Sequence, residues 1–389
     1  MRNQRILSLL LAGLLAAGLT ACGGAPAGTA EETAEAPKAE AVSQGGVAAS
    51  DLRAGLILKE GEDDPAARAH IEGLEAACRA LGLHFDSQVL VRTGVSENAA
   101  CGEAVKELLA EGCQILFADA PGHENFLTAA ASRNPGTDFC QAGGYQGVQD
   151  NLENTHDYYP QIEQARYLTG VAAGLRTGTH KLGYVAEDLS ARNVSAFTAF
   201  YLGARSVDPE AVLVVSCVGK DGDEAVSAQA LIDQDCDVIA QQADSPVPAA
   251  AAQTNGVWAV GYGTDRIPDA PEAALVSCRI DWSVYYTYAL GCLLSGEALG
   301  QDWSGSWAEG ACALTPWNEP LLGEGTVAAA EAAAAGLTAG TVSIYAGPLH
   351  GADADGNELT LAAGESYEEH TVSSAPSFAF LVDGITVLP

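Results

Sequence analysis

Residues Asp237–Pro248 read DVIAQQADSPVP: an apolar triplet, Val238-Ile239-Ala240, runs into two glutamines, an acid, a hydroxyl and two prolines. A buried strand that ends in polar side chains, with a helix starting behind it at Pro246, is a building unit of open α/β sheets. In such sheets ligands sit outside the carboxyl ends of the strands. Gln242, Asp244 and Ser245 are therefore candidate ligand contacts. Asp244 and Ser245 suit capping of the next helix equally well, since each offers an oxygen to free backbone N–H groups.

The same unit recurs on both sides. From Leu52, short β-rich runs alternate with helix-length amphipathic segments. LRAGLILKE reads as a strand, Asp64–Leu81 as a helix, HFDSQVLVR as a strand, and Glu97–Glu111 as a helix. CQILFADA, a helix near His123–Arg133, and TDFCQAGG follow. After VQDNLENTHDYYPQ the alternation restarts with the helix IEQARYLTGVAAGL and continues to the strand AALVSCRID and the helix WSVYYTYALGCLLSG. Alternation of this kind predicts parallel sheets flanked by helices, and two such halves in series predict two lobes facing each other over a cleft. The strand-end loops KEGEDDP, ADAPGHE, QQADSP and GYGTDR would line it, each acid-rich or polar where its strand stops. Tyr262, at a strand end, and Trp282, opening a helix behind Asp281, offer flat apolar rings beside carboxylates, an arrangement that suits a small planar polar ligand. Packing between lobe and helix explains Trp282 equally well.

The 389 residues carry a formal net charge of −33, which makes nucleic acid and anionic membrane surfaces poor partners. The N-terminus, MRNQRILSLLLAGLLAAGLTAC, has Arg2 and Arg5, an apolar stretch from Ile6 to Leu19, then LTAC. This is the pattern of a secretory leader of the bacterial lipoprotein type, with Cys22 the residue to be acylated after cleavage. Residues 23–50 contain no aromatic residue and read as a flexible tether. Of ten cysteines, the nine beyond Cys22 lie mostly in apolar stretches and read as small buried hydrophobes; any pairing among them is open.

GxSxG, Walker A and GxGxxG patterns are absent, and no cysteine or histidine spacing marks a metal site. GLRTGTHKLG lies between a helix and a strand and reads as a helix stop and turn. The pair Asp63-Asp64 could serve glycoside hydrolysis, but without a partner motif it reads as a surface or hydrogen-bonding pair. His70, His84 and His123 read as structural. No catalysis, cofactor or metal is expected.

The runs EQARYLTGVAAG (Glu163–Gly174), KLGYVA (Lys181–Ala186), AFYLGARSVDP (Ala199–Pro209), LIDQDCDVIAQQADSPVP (Leu231–Pro248) and GVWAVGYGTD (Gly256–Asp265) resemble, in order and spacing, the basic membrane protein family. YAGPLHGADADGNEL and SFAFLVDGI resemble its closing segments. The family comprises lipid-anchored solute-binding components of ABC importers related to purine nucleoside receptors. The resemblance implies a two-lobed periplasmic-binding-protein type I fold that closes on a purine nucleoside or nucleobase. By position it implies Asp63, Asp244, Asp265 and Trp282 as binding residues, with Asp281 where close relatives carry asparagine. The first loop, EDDPAARAH, departs from the family pattern by placing Ala66 where a stacking tryptophan is expected. ADAPGHENF departs from the threonine- and serine-containing form and brings in Asp119.

The expected organisation is a leader over 1–22, a tether over 23–50, a first lobe over 51–155 to which 279–310 return, and a second lobe over 156–278 with 311–389. Hinge strands are expected near Asn151–Pro160 and Val276–Asp281. The expected protein is a monomeric, lipid-anchored, extracytoplasmic solute-binding protein serving an ABC permease. The alternatives are a sensory lipoprotein with the same cleft and a cleft hydrolase acting on a nucleoside or glycoside.

Overall fold

The structure is a computed structural model that describes residues 45–150, 152–219 and 222–389. The expected leader, Cys22 and most of the expected tether lie outside the described residues, as does Asn151.

The first half of the chain builds β1 (Ala54–Ile57), α1 (Pro65–Leu81), α2 (Phe85–Gln88), β2 (Val89–Arg92), α3 (Ala99–Ala110), β3 (Ile115–Ala118), α4 (Glu124–Ala131), β4 (Asp138–Ala142), α5 (Gln146–Asp150) and β5 (Thr155–Tyr158). The second builds α6 (Ile162–Arg176), β6 (Lys181–Ala186), α7 (Ala191–Arg205), β7 (Val212–Cys217), α8 (Glu224–Ile232), β8 (Val238–Gln241), α9 (Val247–Asn255), β9 (Trp258–Tyr262) and β10 (Ala274–Ile280). The chain then returns through α10 (Trp282–Ser295) and β11 (Asp302–Trp303) before β12 (Cys312–Leu314) and α11 (Thr326–Thr338). It closes with β13 (Leu349–Ala352), β14 (Glu358–Leu361), β15 (Leu381–Val382) and β16 (Ile385–Val387).

Two large sheets result, in the orders β11-β5-β4-β3-β1-β2 and β12-β10-β9-β8-β6-β7-β16, beside a small antiparallel one, β14-β13-β15. The first is parallel throughout; the second is parallel except where β12 runs against β10. Strand side chains alternate between faces, so Leu56 enters a core with α1 and α10 while Ile57 enters another with α3 and α4. Tyr184 and Val185 divide the second sheet's two cores in the same way. Burial on both faces explains why these strands read as continuous apolar runs.

Three readings need correction. HFDSQVLVR is not one strand: Phe85–Gln88 form a helical turn, held by Gln88, whose side chain accepts from His84 N and donates to Ala49 O and Leu52 O. The changeover between lobes does not fall at 155/156, because all of β5 pairs with β4 in the first sheet. The return does not begin at Arg279, because Cys278, Arg279 and Ile280 pair with β12 in the second sheet.

The chain passes between the two sheets at residues 159–161, at Asp281, and again over 304–311. These passages lie side by side: Tyr159 N donates to Trp303 O, Gln161 N to Gly305 O, and Asp281 N to Ala311 O, at 2.8–3.0 Å. All nine cysteines in the described residues are free thiols, eight of them buried. Burial pushes Cys78 and Cys113 up to about 11 and Cys101 and Cys236 up to about 12.

Candidate functional site

A cleft of about 810 Å³ opens between the lobes. On the first-lobe side it is lined by α1 and the start of α10, and on the second-lobe side by the turn after β9, the end of β10 and the residues after β12.

Asp64 starts α1 by accepting from Ala66 N and Ala67 N at 2.9 and 3.0 Å, with Pro65 in the first turn. Helical spacing then places Ala66, His70 and Gly73 towards the cleft. The His70 imidazole stacks on the Trp282 indole with centroids 4.1 Å apart and planes 22° apart, and its Nδ1 lies 2.6 Å from Tyr286 Oη. Burial lowers the His70 pKa to about 3, so this floor is an uncharged aromatic pair. Trp282 begins α10, and Asp281 caps that helix by accepting from Ser283 N. Gly73 lets the two helices meet, since a Cβ there would stand 2.8 Å from Trp282 Cβ.

On the opposite wall, Tyr262 rests on the buried Arg166 guanidinium, 4.1 Å below its ring. The same guanidinium donates to Gln241 O at 2.6 Å and Gln242 O at 3.4 Å, so one buried cation holds the carbonyl end of β8 against the end of β9. Asp244 forms an ion pair with Arg266 and also accepts from Thr264 N and Oγ1, both at 3.0 Å. Gly263, at φ +72°, makes the turn these contacts close.

Of the nine residues singled out in the sequence, Asp63, Asp244, Tyr262, Asp265, Asp281 and Trp282 line the cleft. Asp63 is exposed beside Arg68, and Asp265 accepts from Ile267 N. Asp119, Gln242 and Ser245 are not brought to it. Asp119 accepts from Lys59 N at 3.0 Å and lies 3.7 Å from His123 Nδ1, and burial pushes its carboxyl up to about 6. Gln242 is buried, its Oε1 accepting from Tyr184 Oη at 2.8 Å. Ser245 Oγ accepts from Val247 N at 3.2 Å, but Pro246 holds the cap position of α9 with no side-chain cap bond, so neither Ser245 nor Asp244 is the N-cap residue.

Sequence reasoning missed His70, Arg266 and Arg279. His70 read as structural, although helical spacing from Ala66 puts it on the same side of α1. Arg279 had a clearer signal: it is the one charged residue in the seven-residue strand ALVSCRI, and it is exposed where every neighbour in that strand is buried. The cleft thus combines an aromatic floor with carboxylates at Asp63, Asp265 and Asp281 and guanidinium groups at Arg68 and Arg279. Such a lining can stack on a ring and both donate to and accept from its polar edge.

Comparison with known proteins agrees with this architecture. Over 306 residues the chain is 27% identical to a purine-binding protein of Brucella abortus, covering 78% of this chain and 84% of that one. Over 219 residues it is 36% identical to a putative ABC transporter glucose-binding protein of Haloferax volcanii, covering 55% of each, so the match spans about half the length of that relative. A solved ABC transporter solute-binding protein from Conexibacter woesei superposes with a TM-score of 0.64 at 17% identity, covering 75% of this chain and 98% of that one. The fold is therefore the two-lobed periplasmic-binding-protein type I fold. Residues 60–318 match the model of the Bmp family, described as PnrA-like ABC transporter substrate-binding proteins, and the chain belongs to that family.

Proposed function

We propose that this protein is an extracytoplasmic solute receptor that captures a purine nucleoside or nucleobase between its lobes and presents it to an ABC permease, without chemical conversion. The observation that carries this reading is the cleft itself, where the stacked His70–Trp282 pair faces Tyr262 and carboxylates stand at the rim. A purine offers two π-faces for such rings, and its N–H groups and the ribose hydroxyls are donors for Asp265 and Asp281. The purine-binding relative in Brucella supports the same class. Ligand contact with both walls would favour the closed arrangement of the lobes, with the passages at 159–161, 281 and 304–311 absorbing the motion. Acylation at Cys22 would hold a monomeric receptor at the outer face of the membrane.

A sugar ligand is the second reading. The Haloferax relative is named for glucose, and stacked rings beside carboxylates also suit a pyranose. Thermal-shift and calorimetric titration with nucleosides, nucleobases and hexoses separates the two, because a ligand specific to the native state raises the melting temperature by mass action. Stoichiometric binding of a purine is expected. Binding of hexoses alone overturns the ligand class, and release of free base on incubation with nucleosides overturns the receptor reading.

A further inference from the structure

Away from the cleft, a second cluster of polar groups is buried where the C-terminal segment crosses α6. Glu163, in the first turn of α6, lies against Glu369 and His370 of the segment between β14 and β15, and one ligand atom from each lies within 4.8 Å of the others. Glu163 and His370 side chains are 5% and 7% exposed. None of the three lines the cleft.

One buried acceptor in this cluster, on Glu163, has no donor among the described residues. His370 Nδ1 lies 3.0 Å from Ser374 O, and a carbonyl only accepts, so Nδ1 carries the proton. His370 Nε2 then faces Glu163 Oε1 at 3.2 Å. Glu163 Oε2 is buried and, among the described residues, has no hydrogen-bond partner. Glu369 is held in place from behind: Oε1 accepts from Ser377 N and Phe378 N at 2.7 and 2.8 Å, and Oε2 accepts from Ser195 Oγ at 2.8 Å. Among the described residues no lysine or arginine pairs with either carboxylate. A protonated His370 with two carboxylates would still leave the group at −1, one positive charge short of neutral, whereas a neutral imidazole, two carboxylates and a divalent cation sum to zero.

We propose that Glu163, Glu369 and His370 form a binding site for a divalent transition cation of the zinc class. An imidazole that donates its far N–H to a backbone carbonyl, with carboxylates completing the set, is the donor arrangement such ions use. Ligand atoms around one tetrahedral zinc stand about 3.3 Å apart, so side-chain shifts of about 1 Å would close the set. The bound ion joins α6, just after the passage at 159–161, to a segment whose Ser374 N also donates to Asp302 of β11 in the first sheet. The site thereby ties the C-terminal segment to the connection between the lobes, whatever the cleft binds.

The test uses the purified full chain, stripped with chelator and titrated with Zn²⁺ by calorimetry, alongside Co²⁺ absorption. One saturating equivalent is expected, with a raised melting temperature and Co²⁺ d–d bands that lack a thiolate charge-transfer band. Glu163→Gln and His370→Gln should each weaken Zn²⁺ binding at least tenfold. The proposal is overturned by the absence of saturable uptake, or by uptake that both variants leave unchanged. Should either variant fail to fold by near-ultraviolet circular dichroism, the wild-type Co²⁺ spectrum decides. A thiolate band, or no bands at all, overturns the assignment.

Discussion

Asp244 and Arg266 form an ion pair with side chains only 8% and 4% exposed, and that pair, rather than a helix cap, is what the acid at the end of β8 does. It fastens the loop after β8 to the turn after β9, so the cleft wall carrying Tyr262 is preorganised.

Arg266 keeps a second partner in Asp269, 2.9 Å away, so losing the Asp244 charge leaves the guanidinium partly compensated and costs less than the roughly 3–5 kcal/mol of a fully unpaired buried charge. Asp244→Asn is therefore expected to lower the unfolding free energy by about 1–3 kcal/mol, read as a lower urea midpoint at unchanged slope, and to weaken ligand binding through loss of the turn. The double variant Asp244→Leu/Arg266→Met should recover part of the stability but not the affinity. Urea titration with calorimetry on the same preparations checks both, and a single variant as stable as wild type would refute the account.

Gly73 sets the approach of α1 to α10. Gly73→Ala would press a methyl against Trp282 Cβ and Ser283 N, and neither is the free end of a flexible side chain. Overpacking of this kind costs about 1–3 kcal/mol. The prediction is a matching loss of stability together with a shifted Trp282 fluorescence maximum; unchanged emission would show that the helices do not meet there.

The α6–α7 pair depends on glycines in the same way. A Cβ on Gly170 would overlap the Phe200 carbonyl oxygen, and one on Gly203 the Tyr167 carbonyl oxygen. Because backbone blocks both, Gly170→Ala should destabilise despite alanine's better helix propensity of about 1 kcal/mol. A thermal melt above that of wild type would contradict this.

His70 gives a pH dependence with a definite sign. Its folded pKa of about 3 lies below the ordinary histidine value of 6.5, so the unfolded chain takes up the proton first. Its contribution to stability is present in full above about pH 6.5 and is lost as pH falls towards 3, with a slope of at most about 1.4 kcal/mol per pH unit. His70→Gln should flatten the stability profile between pH 6.5 and 4. Parallel profiles for the two proteins would place the titration elsewhere.

Much of the fold was legible because its signals are local. Alternating apolar runs and amphipathic segments, with Asp64, Pro65 and Gly82 marking the ends of α1, depend on neighbours a few residues away. β5 was harder to read: THDY has no apolar period, since His156 and Asp157 are buried through partners distant in sequence, His156 with Asp138 and Gly300 O. β11 to β16 are mostly two to four residues long, too short for a periodic signal.

The sequence by itself determined the two α/β halves, the loops at the carboxyl ends of the strands, and the aromatic and acidic residue types those loops carry. Only the tertiary structure decided which of them face the cleft and which serve another partner. Asp244 is bound to Arg266, Gln242 to Tyr184, and Asp119 to the backbone at Lys59, while His70 meets Trp282 and Glu163 meets His370. The physical reason is range. Caps and periodicity are set within one or two turns of chain, whereas a side chain's partner is set by strand order and by which helices share a face of the sheet.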